Sequence, residues 1–415
     1  MRHQNVDKSP EHPQLNQPWV RITLIVFLVI VACSLLAILL TRVDSTELAT
    51  IFGHDYRAYS SAARVLIIQG NPYDRAQLLA MEQANGFTER APIMVWNPPW
   101  ALALFLPFAF LPFPVSTMIW LFLSALLALV CGAILWRELV PHGDRRYWLG
   151  IVLAVAYMPT VQTLKLGQIS LWLLVGITGF LVALRARRDV LAGAALALLM
   201  VKPHVTFLLL VGVGWWVLRE RRWRVLLGGA VTLVAACAVV GLISPAVFGQ
   251  YLRPTAGSPL YVRSTTLGTW LLTVFGTEHY WLQYLPSVVG FILFVGWALR
   301  RKGGWDWQRL APGLLLASTI CAAYGWGFDQ VTLLPVVVVL FGSLRTLSMR
   351  QRVVIVGLYA LAQVVFLIQN QLSIDSAYYY WHPLVLAGLY MWQQSTLRAR
   401  SRTGKELRNA ESSCR

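Results

Sequence analysis

The chain has 415 residues, of which 57% are apolar and only 13% charged, and it carries a formal net charge of +17. A soluble domain averages roughly a quarter charged residues, and the apolar residues here fall in runs that reach across, or nearly across, about 30 Å of hydrocarbon. Backbone groups in lipid must bond internally, so the runs are helices and a soluble class is excluded. The basic residues are dispersed among helix ends rather than gathered into a patch, so no nucleic-acid partner is expected.

In chain order, a polar tail over 1–19 precedes the first run, Val20 to Thr41. That run is full length and ends at Thr41-Arg42-Val43-Asp44, so it reads as an anchored helix rather than a cleaved signal. Further spans are expected near 114–136, 148–163, 168–186, 190–201, 203–219, 224–243, 281–300, 309–323, 329–344, 351–370 and 380–397. The fold class is therefore an all-α polytopic membrane protein with about a dozen crossings. The stretch Pro98 to Pro112 is short and proline-bounded, which suits a re-entrant or interfacial segment. A basic tail over 398–415 closes the chain.

Charge tests this layout. With the N-terminus inside, inner segments hold 26 of the 35 Lys and Arg, whereas the acidic residues divide evenly between the two sides. The basic excess sits on one face, as the positive-inside rule requires, and the same face would attract anionic membrane lipids. Both termini are expected in the cytoplasm. Cys33, Cys131, Cys237 and Cys321 lie in apolar spans and Cys414 in the tail, so they read as packing residues. No metal-ligand spacing and no Gly-rich nucleotide loop appears, so no metal or cofactor is expected.

The loop over 42–97 is long for a helical bundle, which marks it as functional. It holds Gly53-His54-Asp55-Tyr56-Arg57-Ala58-Tyr59. Ala58, Ala62, Val65 and Leu66 recur at helical spacing, and a short helix lying along the membrane surface is expected there. Asp55 stands near its start; its plain alternative is a helix N-cap in solvent. Tyr56 and Tyr59 are more often packing residues than ligands.

Three polar insertions interrupt later apolar runs: Lys165-Leu166-Gly167-Gln168, Lys202-Pro203-His204, and Ala323 to Gln330. A lysine within the membrane boundary is costly, though Lys202 could snorkel to the interface. Asp329 could equally be a helix cap, and Gln168 a helix–helix hydrogen-bonding residue. All three insertions fall on the outer side. A cleft there with carboxylates, an amide and cations suits an anionic, lipid-linked substrate. Lys165, Lys202, His204 and Arg263 could hold its phosphate while a prenyl tail stays in lipid. The competing class is a transporter or flippase of lipid-linked sugars, but its site would lie near the midplane.

At these residues the sequence resembles the GT-C glycosyltransferases of family 87, which use polyprenol-phosphate sugars. The resemblance runs through Asp55-Tyr56-Arg57-Ala58-Tyr59, Gly70-Asn71-Pro72-Tyr73, Trp96-Asn97-Pro98-Pro99, Gly167-Gln168, Ala192-Gly193 through Lys202-Pro203, and Trp326-Gly327-Phe328-Asp329, in family order. It implies a GT-C fold with a catalytic aspartate in the first external loop, mapping to Asp55. The family's mannosyltransferases carry a His-His pair where this chain has Phe328-Asp329. The implied reaction moves a hexose, mannose favoured, from a polyprenyl-phosphate sugar to a lipid or glycan acceptor at the outer face of the plasma membrane. Asp55 would be the general base of an inverting transfer. Lys202 is the preferred phosphate partner, with Arg263, His204 and Lys165 behind it. Gln168, Asp329, Tyr59, Asn97 and Trp326 are expected on the acceptor and sugar side.

Overall fold

The structure is a computed structural model that describes residues 52–140, 144–253, 264–301, 303–374 and 376–413. The expected first span Val20 to Thr41, the N-terminal tail, Cys33, Cys414 and Arg263 lie outside these residues.

The described residues are helical, with no strand among them. Two short helices open the fold: α1 (Tyr56–Ile67) and α2 (Arg75–Ala84). Asp74 caps α2 by accepting from the backbone N–H groups of Ala76 and Gln77, which satisfies two otherwise orphan donors. Buried Glu82 accepts from the N–H of Ile93 at 3.1 Å and so ties the rest of the loop to α2. The expectation for α1 requires correction. Instead of resting one face on the membrane surface, α1 buries ten of its twelve residues in protein. Its small residues (Ala58, Ser60, Ser61, Ala62, Ala63) admit neighbours on every side, and Arg57, Tyr59, Ser61 and Arg64 find hydrogen-bond partners in protein.

The bundle follows. It comprises α3 (Phe113–Leu139), α4 (Tyr147–Ala156), α5 (Met158–Leu166), α6 (Ser170–Arg185), α7 (Asp189–Ala197), α8 (Phe207–Glu220) and α9 (Trp223–Ile243). Then come α10 (Leu267–Phe275), α11 (Leu285–Arg300), α12 (Trp307–Cys321), α13 (Leu334–Gly342), α14 (Met349–Gln371) and α15 (Trp381–Ser413). Among the described residues, four segments are long and apolar enough to cross a membrane: Phe113–Leu139, Trp223–Ile243, Gly327–Thr346 and Met349–Gln371. The bent pair α4–α5 makes a fifth if taken as one span. Several other apolar helices are shorter than eighteen residues. Pro98 to Pro112 forms only a 3-10 run (Pro99–Leu104) and a single α-turn (Leu106–Ala109), so it does not cross as a helix.

One proline breaks an expected continuous span (148–163), and a second stands at the expected boundary between the 190–201 and 203–219 spans. Pro159 lacks the N–H that would continue the helix, and α5 leaves α4 at 63°. The N–H of Met158 freed by this break donates to Gln363 Oε1 at 2.9 Å, as a buried backbone donor must find a partner. Pro203 disfavours the helical region for the residue before it, and Lys202 has φ −141° and ψ 68°. The 190–219 run therefore splits into α7 with a 3-10 extension (Leu198–Val201), Lys202, and a second 3-10 turn (Pro203–Thr206) leading into α8. Pro159 and Pro203 both open new helices at the same end of the bundle, the end that carries the polar insertions.

Elsewhere small residues bring helices close. A Cβ on Gly193 of α7 would lie 1.8 Å from the Val225 carbonyl of α9, and one on Gly228 1.9 Å from that of Val190. Gly132 of α3 and Gly150 of α4 face each other in the same way. Without a hydrophobic driving force between helices in lipid, such close backbone approach is a main source of association.

Candidate active site

Two glycines set the geometry. Gly53 and Gly167 both have positive φ, at 79° and 68°, a region glycine enters without steric cost. They pack together: a Cβ on Gly167 would meet Tyr56 Cβ at 2.7 Å and Gly53 Cα at 3.0 Å. The loop that carries Asp55 can then lie on the α5–α6 turn. The Gly53 N–H donates to the Lys165 carbonyl at 2.8 Å, and the Asp55 N–H to that of Leu166 at 2.9 Å. Trp120 of α3 clamps the turn from behind by donating Nε1–H to the Gly167 carbonyl at 2.8 Å.

Asp55 is held beside Gln168 as a result. It stands at the N-cap of α1, but its carboxylate makes no capping bond. Oδ2 accepts instead from Gln168 Nε2, and Oδ1 pairs with His54 Nδ1 at 2.8 Å. The solvent-facing N-cap reading is thereby excluded. His54 is half exposed, and its pKa is raised, first by the hydrogen bond to Asp55 and then by that carboxylate's charge. Tyr59 donates to Gln168 Oε1 at 2.8 Å. Burial, helped by the Asp55 and Asp329 charges, holds its phenol well above the ordinary pKa and so protonated.

Lys202 approaches the same amide from the other side. Its ammonium donates to Gln168 Oε1 at 3.2 Å, Ser170 Oγ at 3.3 Å and Asp329 Oδ1 at 2.8 Å. Those three bonds use all three of its donors. Lys202 is 6% exposed and does not snorkel. Asp329 lies deeper, bonded also to the Ser170 hydroxyl, while its Oδ2 accepts from the Trp326 N–H at 3.0 Å and caps the 3-10 turn. Cap and ion-pair partner are one residue. A continuous chain of polar contacts thus runs from His54 through Asp55, Gln168 and Lys202 to Asp329.

These groups border a cavity of about 660 Å³. Its wall includes Asp55, Tyr59, Asn97, Gln168, Lys202, His204 and Trp326 from the expected set. Asp329 is behind the wall, reached through Lys202. Asn97 donates to the Val201 carbonyl at 3.1 Å and Trp100 to that of Met200 at 3.0 Å, which pins the Pro98-Pro99 corner to the end of α7. The rings of Trp96, Trp326 and Phe328 stack in series at 5.9 and 5.8 Å, and His204 stacks on Tyr324 at 3.8 Å. Lys165 is not brought in: its carbonyl anchors the loop, but its side chain is exposed and borders a separate apolar groove.

Sequence reasoning missed His54, Ser170, Arg75, Trp100, Tyr251 and Tyr324. His54 and Ser170 are close neighbours of chosen residues, and Tyr324 lies two before Trp326, so proximity could have flagged them. Arg75, exposed at the start of α2 and on the cavity wall, carries no such signal.

A sequence model described as glycosyltransferase family 87 matches residues 96–323, more than half of the chain. No curated protein and no solved structure matches.

Proposed function

The chain belongs to glycosyltransferase family 87 and is a membrane glycosyltransferase, and from that premise we propose that it moves a hexose from a polyprenyl-phosphate donor to a lipid or glycan acceptor, with Asp55 as general base. The observation that carries this reading is the placement of Asp55. Among the described residues lining the cavity it is the only carboxylate, and two side chains fix its orientation.

The acceptor hydroxyl attacks the anomeric carbon as Asp55 takes its proton, which requires hydrogen-bond reach of about 2.6–3.2 Å in the loaded complex. Half-exposed His54 offers that proton a route to water. The C–O bond to the phosphate breaks, and charge collects on the phosphate oxygens, where nearby cations and donors stabilise it. Lys202 spends its three donors on protein and its charge is paired with Asp329, so its role is to fix Gln168. His204, whose ring lines the cavity, is better placed to meet the phosphate directly. By analogy with glycosidases, retention would need a second carboxylate at the sugar as nucleophile. Asp329 is sequestered by Lys202, Ser170 and Trp326, which favours inversion. The Trp96–Trp326–Phe328 shelf offers an apolar face to the sugar, with mannose the favoured hexose, and Tyr59, Asn97 and Gln168 offer polar contacts. In this reading the shorter apolar helices complete about a dozen crossings, the termini are cytoplasmic, and the cavity opens at the outer face of the plasma membrane.

The test is transfer of radiolabelled sugar from a panel of polyprenyl-phosphate sugars to membrane acceptors. Membranes with the wild-type chain would be compared with Asp55→Asn at equal expression. The Asn variant should lose about 10²–10⁴-fold in rate, the usual weight of a general base. Substantial residual transfer would remove Asp55 from that role. No transfer by the wild type from any donor would favour flipping of lipid-linked sugars, measured next.

A further inference from the structure

The same helices enclose a second cavity at their other ends. The C-terminus of α3, the α6–α7 and α8–α9 turns and the start of α12 surround about 960 Å³. The active-site cavity lies toward the opposite end of α3, a helix of 27 residues and hence about 40 Å long. The second cavity is therefore no extension of the first.

Four arginines (Arg185, Arg187, Arg222 and Arg309) and three carboxylates (Glu138, Asp189 and Asp306) line it, for a net charge of +1. Glu138 holds Arg185 at 3.3 Å, Asp189 holds Arg222 at 3.2 Å, and Asp306 holds Arg309 through Nε at 3.1 Å. These pairs fix three guanidinium groups at the rim. A guanidinium has five N–H donors, so Arg309 keeps both terminal nitrogens available. Arg187 has no ion-pair partner among the described residues and sits at φ +57° in the turn. Behind the arginines Trp305 stacks on Trp307 at 5.4 Å, and neither buried indole N–H has a hydrogen-bond partner. Leu139, Val140 and Leu184 give an apolar edge.

Planar guanidinium forks match phosphate oxygens. Tryptophan favours the level of lipid headgroups, and basic pockets between helices on the positively charged face take anionic headgroups. We propose that this cavity binds the phosphate-bearing headgroup of an anionic membrane lipid, its acyl chains leaving over the apolar edge. The site holds lipid independently of the transfer reaction, so the proposal does not depend on the donor assigned above.

The experiment uses the purified full chain in detergent. Phosphatidylglycerol, phosphatidylcholine of the same acyl chains, and inorganic phosphate are added separately, and retained lipid and thermal midpoint are read. Phosphatidylglycerol should be retained and raise the midpoint, whereas phosphatidylcholine should not. Arg187→Gln/Arg309→Gln, two exposed positions whose loss should leave the fold intact, should weaken phosphatidylglycerol retention at least tenfold. The control Arg350→Gln/Arg398→Gln removes the same charge elsewhere and should retain it. Equal loss in the control would reduce the effect to diffuse surface charge and overturn the site. Equal response to phosphatidylcholine would overturn the phosphate recognition. The full shift from inorganic phosphate alone would overturn a lipid ligand.

Discussion

At the residue scale, the deciding feature is that Asp55 and Lys202 meet on one amide. Gln168 donates to Asp55 and accepts from both Tyr59 and Lys202, so its orientation is set by the cation and passed to the base. The Lys202–Asp329 pair is buried, with both side chains under 8% exposed. Breaking such a pair leaves an uncompensated charge, at a cost of about 3–5 kcal/mol. Lys202→Met and Asp329→Asn should each lower the thermal midpoint in detergent. The double variant, which removes both charges while Asn can still accept from Trp326, should recover most of it. Recovery of stability without recovery of transfer would separate the pair's positioning role from its structural one. A double variant as unstable as either single would refute the pairwise account.

At the element scale, the site depends on interruptions. Pro203 ends α7 where Lys202 must turn inward, and Gly53 with Gly167 lets a loop lie on a helix turn. Packing elsewhere depends on the absence of side chains. Gly193→Val would drive a branched side chain into the Val225 backbone, and overpacking of this kind costs about 1–3 kcal/mol. A lowered midpoint is expected, whereas Gly214→Val, at a position where a Cβ meets nothing within 4 Å, should leave the midpoint unchanged. Equal effects would mean that α7 and α9 do not rely on this close approach. Lys202-Pro203 and Gly167-Gln168 were visible in the sequence as interruptions, because proline and glycine act locally. The near-complete burial of α1 was not visible, because its small residues are compatible with either a lipid surface or a protein interior.

At the scale of the whole molecule, the polar insertions gather around one cavity and the arginine-rich turns around another. The span Gly327–Thr346, which carries Asp329, is largely enclosed by protein, whereas Trp223–Ile243 is almost entirely peripheral. Sidedness can be measured on a background with the five native cysteines replaced. A membrane-impermeant maleimide should label Gln83→Cys in intact cells, and Arg350→Cys only after permeabilisation. The reverse pattern would invert the proposed orientation.

The sequence by itself determined the helical membrane class and seven of the residues that border the cavity. Those follow from composition, periodicity and the local effects of proline and glycine. Only the tertiary structure decided what each polar residue is bonded to. It gave Lys202 three protein partners, put Asp329 behind the wall and kept Lys165 outside it. It also paired Asp55 with Gln168, 113 positions away, rather than with the start of its own helix. Contacts across such separations depend on how close the helices approach, and that distance is set by glycines and bends on segments that no local pattern connects.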